Sequence, residues 1–368
     1  MTRTMTAAVL EVPGEPIRID RVDIAGPGPG QVLVRVHHCG LCHSDVSIIT
    51  GESPVGFPVV LGHEASGIVA EVGPGVTSLV AGDHVMLTPV PVCGRCYWCL
   101  RGEPGACVNS IGIITQTLPD GSTPLSRGDE VVYQGLGVAG FAEYCVVVES
   151  GAVKIPDDVP LDVVAVIGCS VQTGAGAVFN TAKVAPGDTV LVMGLGGIGV
   201  AIVQGARIAG ASQIIVSDPV AHRRAAAAHF GATAAIDPAT TDVAEECRSL
   251  TGGIGVDHAF DAVGSSALVQ AGFDASRNGG TTVLVGGGPI DEVLSISRIA
   301  LMVSEKKLVG CLLGSANSLR EIPRLVDFYR RGMLDLDSMI TARRPLSEIN
   351  DAVADSTAAR GLRTVLTI

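Results

Sequence analysis

The sequence predicts an α/β protein, a doubly wound parallel sheet joined to an irregular β-rich domain. Three observations predict it. A chain of 368 residues has room for two domains at roughly 150 residues each. Up to about residue 170 the apolar residues fall in short β-type runs broken by Gly and Pro. From about 171 to 312, strand-like and helix-like stretches alternate, as right-handed crossovers in a parallel sheet require.

The elements follow in order. The first segment offers strands at Gln31–His37, Ser66–Val72, His84–Leu87 and Glu143–Val148. The second offers Thr189–Met193, Gln213–Asp218, Ala234–Asp237, Val256–Val263, Thr281–Val285 and Lys307–Leu313, with helices such as Ala221–Phe230 and Val243–Leu250 between them. The last segment carries helix patterns at Leu319–Arg331 and Ser347–Ala354, and a closing strand at Arg363–Ile368.

Composition narrows the function. Hydrophobic residues are 47% and charged residues 17%, which excludes a disordered chain. Aromatics are only 3%, so Ala, Val, Leu and Ile must fill the core. The net charge of −12 argues against nucleic acid and against an anionic membrane, since both require a basic face. Thr189–Ala206 and Val163–Ala182 are long and uncharged, but glycines and polar residues punctuate both. They read as buried strand–turn–helix pieces rather than membrane spans. The N-terminal apolar stretch is too short for a signal peptide, so the expected location is the cytoplasm. In that reducing setting, ten bunched cysteines point to metal rather than disulfides.

Thr189-Val-Leu-Val-Met193 runs straight into Gly194-Leu-Gly-Gly-Ile-Gly199, which opens an apolar helix, and a second strand ends in Asp218. A G-x-G-x-x-G alone is weak in a chain with 47 glycines. The strand before it, the helix after it and the acid 19 residues beyond Gly199 make it a dinucleotide site. Gly194 allows the tight turn, Gly196 the close approach of the pyrophosphate, and Gly199 the close packing of helix on strand. Gly197 and Ile198 complete the turn, and the phosphates sit at the positive end of the helix. Asp218 accepts from the adenosine ribose and repels a 2′-phosphate, which favours NAD. Arg223 and Arg224 nearby leave NADP as the alternative.

Cys93, Cys96, Cys99 and Cys107 put four thiols within fifteen residues, a density that suits a closed, structural zinc site over 93–107. An iron–sulfur cluster is the main competitor. Its bacterial spacing has three residues before a last Cys that precedes Pro, whereas here there are seven and Val108 follows.

Cys42, His63 and Cys169 have no local spacing that joins them. Each taken singly reads as a buried thiol or a turn histidine. Together with their surroundings they are recognisable. Gly40-Leu-Cys-His-Ser-Asp45, Gly62-His-Glu-Ala-Ser-Gly67, the four-cysteine lobe, the glycine turn and Leu362-Arg-Thr-Val-Leu-Thr367 resemble, in the same order, the zinc-dependent medium-chain alcohol dehydrogenases. The long segment between Cys107 and Phe141 resembles the long-loop, class III-like branch.

The resemblance implies a GroES-like catalytic domain over 1–170, a Rossmann NAD-binding domain over 171–312, and a return to the catalytic domain over 313–368. It implies a second zinc on Cys42, His63 and Cys169 with an open fourth position, hence two zinc ions per chain. Ser44 would take the alcohol proton, Asp45 would orient His63, and Glu64 would lie behind the metal. His43 and Arg363 match phosphate-contacting positions, Arg223 a residue near the adenosine ribose, and Thr173 one beside the nicotinamide. A homodimer through the edge strand near Lys307–Leu313 is a further expectation of the family.

The match has departures. After Asp45 the chain reads Val-Ser-Ile-Ile-Thr50, without the histidine that finishes a proton relay in many members. Either Ser47, His43 or water then carries the proton, or the relay is slower. Pocket-narrowing aromatics align with Pro89 and Ala106, so the expected substrate is a bulky aliphatic, aromatic or terpenoid primary alcohol. The nearest rival is a thiol-dependent formaldehyde dehydrogenase, which places an anion-binding Arg where this chain has Val108-Asn-Ser-Ile-Gly112. A zinc-assisted conjugate or imine reductase is another, but such enzymes often lose the hydroxyl or ligand retained here. A non-catalytic nucleotide sensor would need no open zinc at all.

Overall fold

The computed structural model describes residues 2–368, which divide into two compact units. One comprises the chain up to Ser170 with Asn317–Gly332 and Leu336–Ile368; the other comprises Val171–Ala316 with Met333–Asp335.

The first unit holds two β structures. A closed barrel joins Arg3–Leu10, Arg18–Ile24, Leu125–Arg127, Glu130–Gln134 and Val59–Val60. A seven-stranded sheet runs Ala152–Lys154, His84–Leu87, Glu64–Val72, Gln31–Gly40, Arg363–Thr367 and Ile340–Pro345, with Tyr144–Val148 also pairing Gln31–Gly40. Leu346, Ile349, Ala352 and Leu366 pack into the same apolar cluster as Met5, Val34 and Phe141. That shared core is why the C-terminal segment belongs to the first unit. The aliphatic composition foresaw this: Phe141 is the one aromatic among the fully buried members of the cluster.

The segment between Cys107 and Phe141, expected as a long loop, instead supplies two barrel strands. Its hairpin turns at Gly128, where Arg127 pairs across the turn with Glu130 (2.7 Å) and fastens the hairpin to Glu11 (2.6 Å) and Asp20 (3.0 Å). These strands are short and polar at their ends, so they carry no alternating signal long enough to read.

The second unit is a six-stranded parallel sheet in the order Ala234–Ile236, Gln213–Ser217, Thr189–Met193, Val256–Asp261, Ser276–Leu284 and Lys307–Gly310. Counted along the chain this is 3-2-1-4-5-6, with the order reversing between Thr189–Met193 and Val256–Asp261. The central strand is sealed on both faces, Val190 to Met193 being at most 1% exposed. Burial on both sides explains its unbroken apolar run. The expected helices Ala221–Phe230 and Val243–Leu250 form as read, and Ser266–Ala275 is a further one. The boundary with the last segment falls after Ala316 rather than at 312. The cause is local: Leu313 and Gly314 are hydrogen-bonded through their carbonyls to Gln172 and Asn180 of this unit.

Neither long uncharged stretch is a continuous helix. The first is a strand followed by the helix Gly197–Ala209, and the second breaks at Cys169, a short helical segment before it and the helix Ser170–Ala182 after it. Among the described residues no single helix is long and apolar enough to cross a membrane.

Candidate active site

The first unit gathers Cys42, His63, Glu64 and Cys169, whose donor atoms all lie within 4.8 Å of one another. Cys42 is the N-cap of the helix His43–Ile49, and the Asp45 carboxylate reaches back to accept its N–H at 3.1 Å. The other Asp45 oxygen accepts the Gly62 N–H at 3.0 Å and faces His63 Nδ1 at 3.2 Å. One buried carboxylate therefore fixes the two loops that carry Cys42 and His63. With Nδ1–H given to Asp45, His63 presents Nε2 as a donor atom.

Glu64 begins the strand Glu64–Val72 and is fully buried. One of its oxygens accepts the Ser170 N–H at 3.1 Å, and the other is paired with the Arg363 guanidinium. Both oxygens are thus engaged, leaving Cys42, His63 and Cys169 as the freer donors. Two sulfurs and one imidazole with a fourth position open is the donor set of a catalytic zinc, so these residues fit that ion. Ser44 is exposed beside it, its Oγ 3.8 Å from Cys42 Sγ.

The electrostatics agree with a cation site. The Cys42 thiol is held well below its usual range by a hydrogen bond from Cys169, which outweighs burial, and by His63 and Arg363. Cys169 is correspondingly pushed up by that bond and by burial. Burial opposes charge on His63, but Asp45 and Cys42 outweigh it and raise the ring's pKa. Burial lifts Glu64 to about 7 against the pull of Arg363.

Cys93, Cys96, Cys99 and Cys107 form a separate cluster. The Sγ atoms of Cys93 and Cys99 are 3.9 Å apart, those of Cys96 and Cys99 3.5 Å, and those of Cys96 and Cys107 3.9 Å. A tetrahedron with Zn–S bonds of about 2.3 Å has edges of about 3.8 Å, so the lobe fits zinc. Backbone amides of Cys99 and Val108 lower Cys96 to about 6, whereas burial raises Cys107 to about 12. Among the described residues these four thiols alone make up the cluster, which suits a structural role.

In the second unit the glycine turn has the expected shape. Gly194 adopts φ +90°, and a Cβ on Gly199 would lie 1.8 Å from the Gly194 carbonyl oxygen. A Cβ on Gly196, the helix N-cap, would meet nothing within 4 Å, so that face is open to a ligand. Asp218 is buried beside the turn and accepts the N–H groups of Leu195 and Val220, each at 2.7 Å. These residues fit a dinucleotide. Arg224 is committed to Asp237 at 2.6 Å and to the Asp218 carbonyl at 2.7 Å. Arg223 is part-buried on the same helix, and Thr173 is 5% exposed on the helix Ser170–Gly176.

Other expected residues lie as follows. His43 is exposed at the first turn of its helix. Arg363, expected at a phosphate, has its guanidinium on Glu64. Pro89 is buried, and Ala106 is exposed on a short turn of the cysteine lobe. Sequence reasoning missed Asp261, whose carboxylate accepts the amides of Val263, Gly264 and Ser265, each at 3.0 Å, and shapes the turn against Gly194. An acid at a strand end three residues before a glycine was the available signal.

The comparisons agree with this geometry. Residues 28–157 match the family described as "Alcohol dehydrogenase GroES-like domain", and residues 197–330 match "Zinc-binding dehydrogenase". The chain is 38% identical to an S-(hydroxymethyl)glutathione dehydrogenase of Escherichia coli O6:H1, over 98% of both chains. Among solved structures it is similar to an alcohol dehydrogenase zinc-binding domain protein from Burkholderia ambifaria (36% identity, TM-score 0.95, all of both chains). It is also similar to benzyl alcohol dehydrogenase from Acinetobacter calcoaceticus (32% identity, TM-score 0.94, covering 100% and 99%). By sequence, fold and donor set together, this chain belongs to the zinc-dependent medium-chain alcohol dehydrogenases.

Proposed function

We propose that this zinc-dependent alcohol dehydrogenase oxidises bulky primary alcohols, aromatic ones foremost, and reduces the matching aldehydes, with NAD as its hydride carrier. The observation that carries the reading is the buried set of Cys42, His63 and Cys169, backed by a Glu64 whose two oxygens are already engaged. When bound, zinc supplies Lewis acidity toward an alcohol oxygen, and NAD supplies the hydride acceptor.

The chain's residues do the rest. Asp45 fixes the tautomer and direction of the His63 ring. Ser44, exposed next to Cys42, takes the alcohol proton at its Oγ and passes it outward through its own O–H. Arg363 and Glu64 hold the back of the site, keeping a compensated charge pair where a lone carboxylate would bind too tightly. Asp218 favours NAD, because its anionic carboxylate repels a 2′-phosphate and Arg224 is occupied elsewhere.

Small residues at Pro89 and Ala106 support a wide pocket, and so does similarity to a protein named for benzyl alcohol. The test is nicotinamide absorbance across ethanol, octanol, benzyl alcohol and a terpenoid alcohol, with NAD and NADP in parallel. A higher kcat/KM for ethanol than for benzyl alcohol or octanol overturns the wide pocket.

A second reading is oxidation of a formaldehyde–thiol adduct, favoured by the 38% identity to S-(hydroxymethyl)glutathione dehydrogenase. Against it, the short helix Val108–Ile111 after the last lobe cysteine carries no cation for an anionic thiol. The same assay with formaldehyde plus glutathione separates the two.

The reading extends to a homodimer. Lys307–Gly310 is an edge strand, and the adjoining helix Arg298–Ser304 exposes Ile299, Met302 and Val303. Edge pairing of two copies would cover both features. Sedimentation should give twice the chain mass; a monomer at micromolar concentration counts against it.

A further inference from the structure

The short helix Gly112–Thr115 ends at Gln116, which adopts φ +58° and is 1% exposed. Glycine fills such a left-handed cap without steric cost. A residue with a Cβ is strained there, and the strain persists only where neighbouring structure over-determines it. The Gln116 side chain shows what does so. Its Oε1 accepts the Leu136 N–H at 2.6 Å, and its Nε2 donates to the Ile113 carbonyl at 2.6 Å. Its own carbonyl accepts the Gln134 N–H at 2.9 Å. Gln134 is a second buried amide, with Nε2 within hydrogen-bonding distance of the carbonyls of Gly137 (3.1 Å), Val138 (3.3 Å) and Val146 (2.8 Å).

The two amides grip one turn, residues 135–140, in which Leu136, Gly137 and Ala139 have φ values of +52°, +74° and +59°. That turn packs backbone to backbone on the segment leading into His63. A Cβ on Gly135 would come within 2.5 Å of the Val60 carbonyl oxygen, and one on Gly62 within 2.6 Å of the Phe141 ring. The Gly140 N–H donates to the Gly62 carbonyl at 2.6 Å, and the Phe141 N–H to the Leu61 carbonyl at 2.9 Å. The Gly62 carbonyl and the His63 nitrogen belong to one planar peptide unit, so the bond from Gly140 sets the plane from which His63 leaves the chain. Asp45 orients the His63 ring, and the turn orients its backbone.

We infer that Gln116 is a positioning residue for His63, acting through the turn 135–140 rather than by touching metal or substrate. This rests on the reading of Cys42, His63 and Cys169 as catalytic zinc ligands. The bond from Leu136 to Gln116 Oε1 fixes the start of the turn, the turn aims the Gly140 N–H, and that N–H holds the Gly62–His63 peptide. Without the amide, Leu136 and Ala139 are free to relax from their strained φ, and the hold on Gly62 loosens. The hydrogen bonds of Gln116 go to Gly112, Ile113, Gln134 and Leu136 and bypass the four lobe cysteines, so the effect is confined to the catalytic set.

The experiment takes the zinc-loaded chain and follows chelator-driven release of each ion, melting temperature and steady-state kinetics in Gln116→Gly and Gln116→Met. The catalytic ion is identified as the one missing from Cys42→Ala. Glycine suits the left-handed cap, so Gln116→Gly should melt no lower than wild type. It should nevertheless release the catalytic ion about tenfold faster, while release of the lobe ion stays within about twofold. Its kcat should fall about tenfold with the KM for NAD unchanged. Gln116→Met keeps the length of the side chain but loses both amide bonds, and should show the same split in ion release. Unchanged release of the catalytic ion in Gln116→Gly overturns the assignment. Equal acceleration of both ions also overturns it, because that marks a general loosening of the unit. A wild-type chain that holds no ion dependent on Cys42 refutes the zinc reading itself, and the inference falls with it.

Discussion

Glu64 and Arg363 stand 299 positions apart in sequence, yet their side chains form an ion pair with Glu64 sealed from solvent and Arg363 7% exposed. The pair joins the strand that follows His63 to the last strand of the chain. The strand Gln31–Gly40 between them makes this possible, since its Gly40 is in register with Glu64 on one side and with Val365 on the other. The first unit therefore depends on its C-terminal segment for the charge balance behind Cys42, His63 and Cys169.

Removing one partner should be costly. Arg363→Leu leaves a buried carboxylate uncompensated, which typically destabilises by about 3–5 kcal/mol. Arg363→Leu combined with Glu64→Gln should recover much of the loss. Equal melting temperatures for the single and double variants would show that the pair is not coupled.

Asp45→Asn keeps the shape of the side chain but removes the charge that holds the Cys42 loop, the Gly62 amide and the His63 ring. Affinity for the catalytic zinc should fall about 10–100-fold, the usual cost of losing such an orienting carboxylate. Chelator competition measures it, and an unchanged release curve would remove Asp45 from the metal's support.

Cys96→Ala should act on folding rather than chemistry, because a closed zinc site stabilises the lobe directly. Its expected signature is a lower melting temperature and poorer solubility. Full stability in that variant would count against a structural zinc at Cys93, Cys96, Cys99 and Cys107.

Asp257 gives a pH prediction independent of either cluster. Burial raises its pKa, but Thr189 and Arg277 outweigh burial and bring it below the usual carboxylate value of 3.8. A depressed carboxylate contributes stability that is present above 3.8 and lost as pH falls through the folded value. Asp257→Asn should cost about 1 kcal/mol near neutral pH and converge on wild type in acid. A gap that stays constant with pH would show that charge is irrelevant there.

Much of this was legible in the sequence, for identifiable reasons. The glycine turn, its strand and Asp218 lie within thirty residues, so local spacing displayed them. The four-cysteine lobe is also local. Cys42, His63 and Cys169 are brought together by tertiary structure alone, and only a resemblance to a family could group them. The Arg363–Glu64 pair was hidden for the same reason. The hairpin Leu125–Gln134 was hidden because its strands are too short to show a period. Left-handed φ at Gln116 and Leu136 leaves no mark in composition, since neither residue is one that such turns select.

The most direct test of the account counts zinc and follows NADH formation from benzyl alcohol in the wild-type chain and in Cys42→Ala. The account predicts two zinc ions and turnover in the first. In the second it predicts one zinc ion, no turnover and a largely intact fold. Turnover in Cys42→Ala, or loss of both ions together, would contradict it.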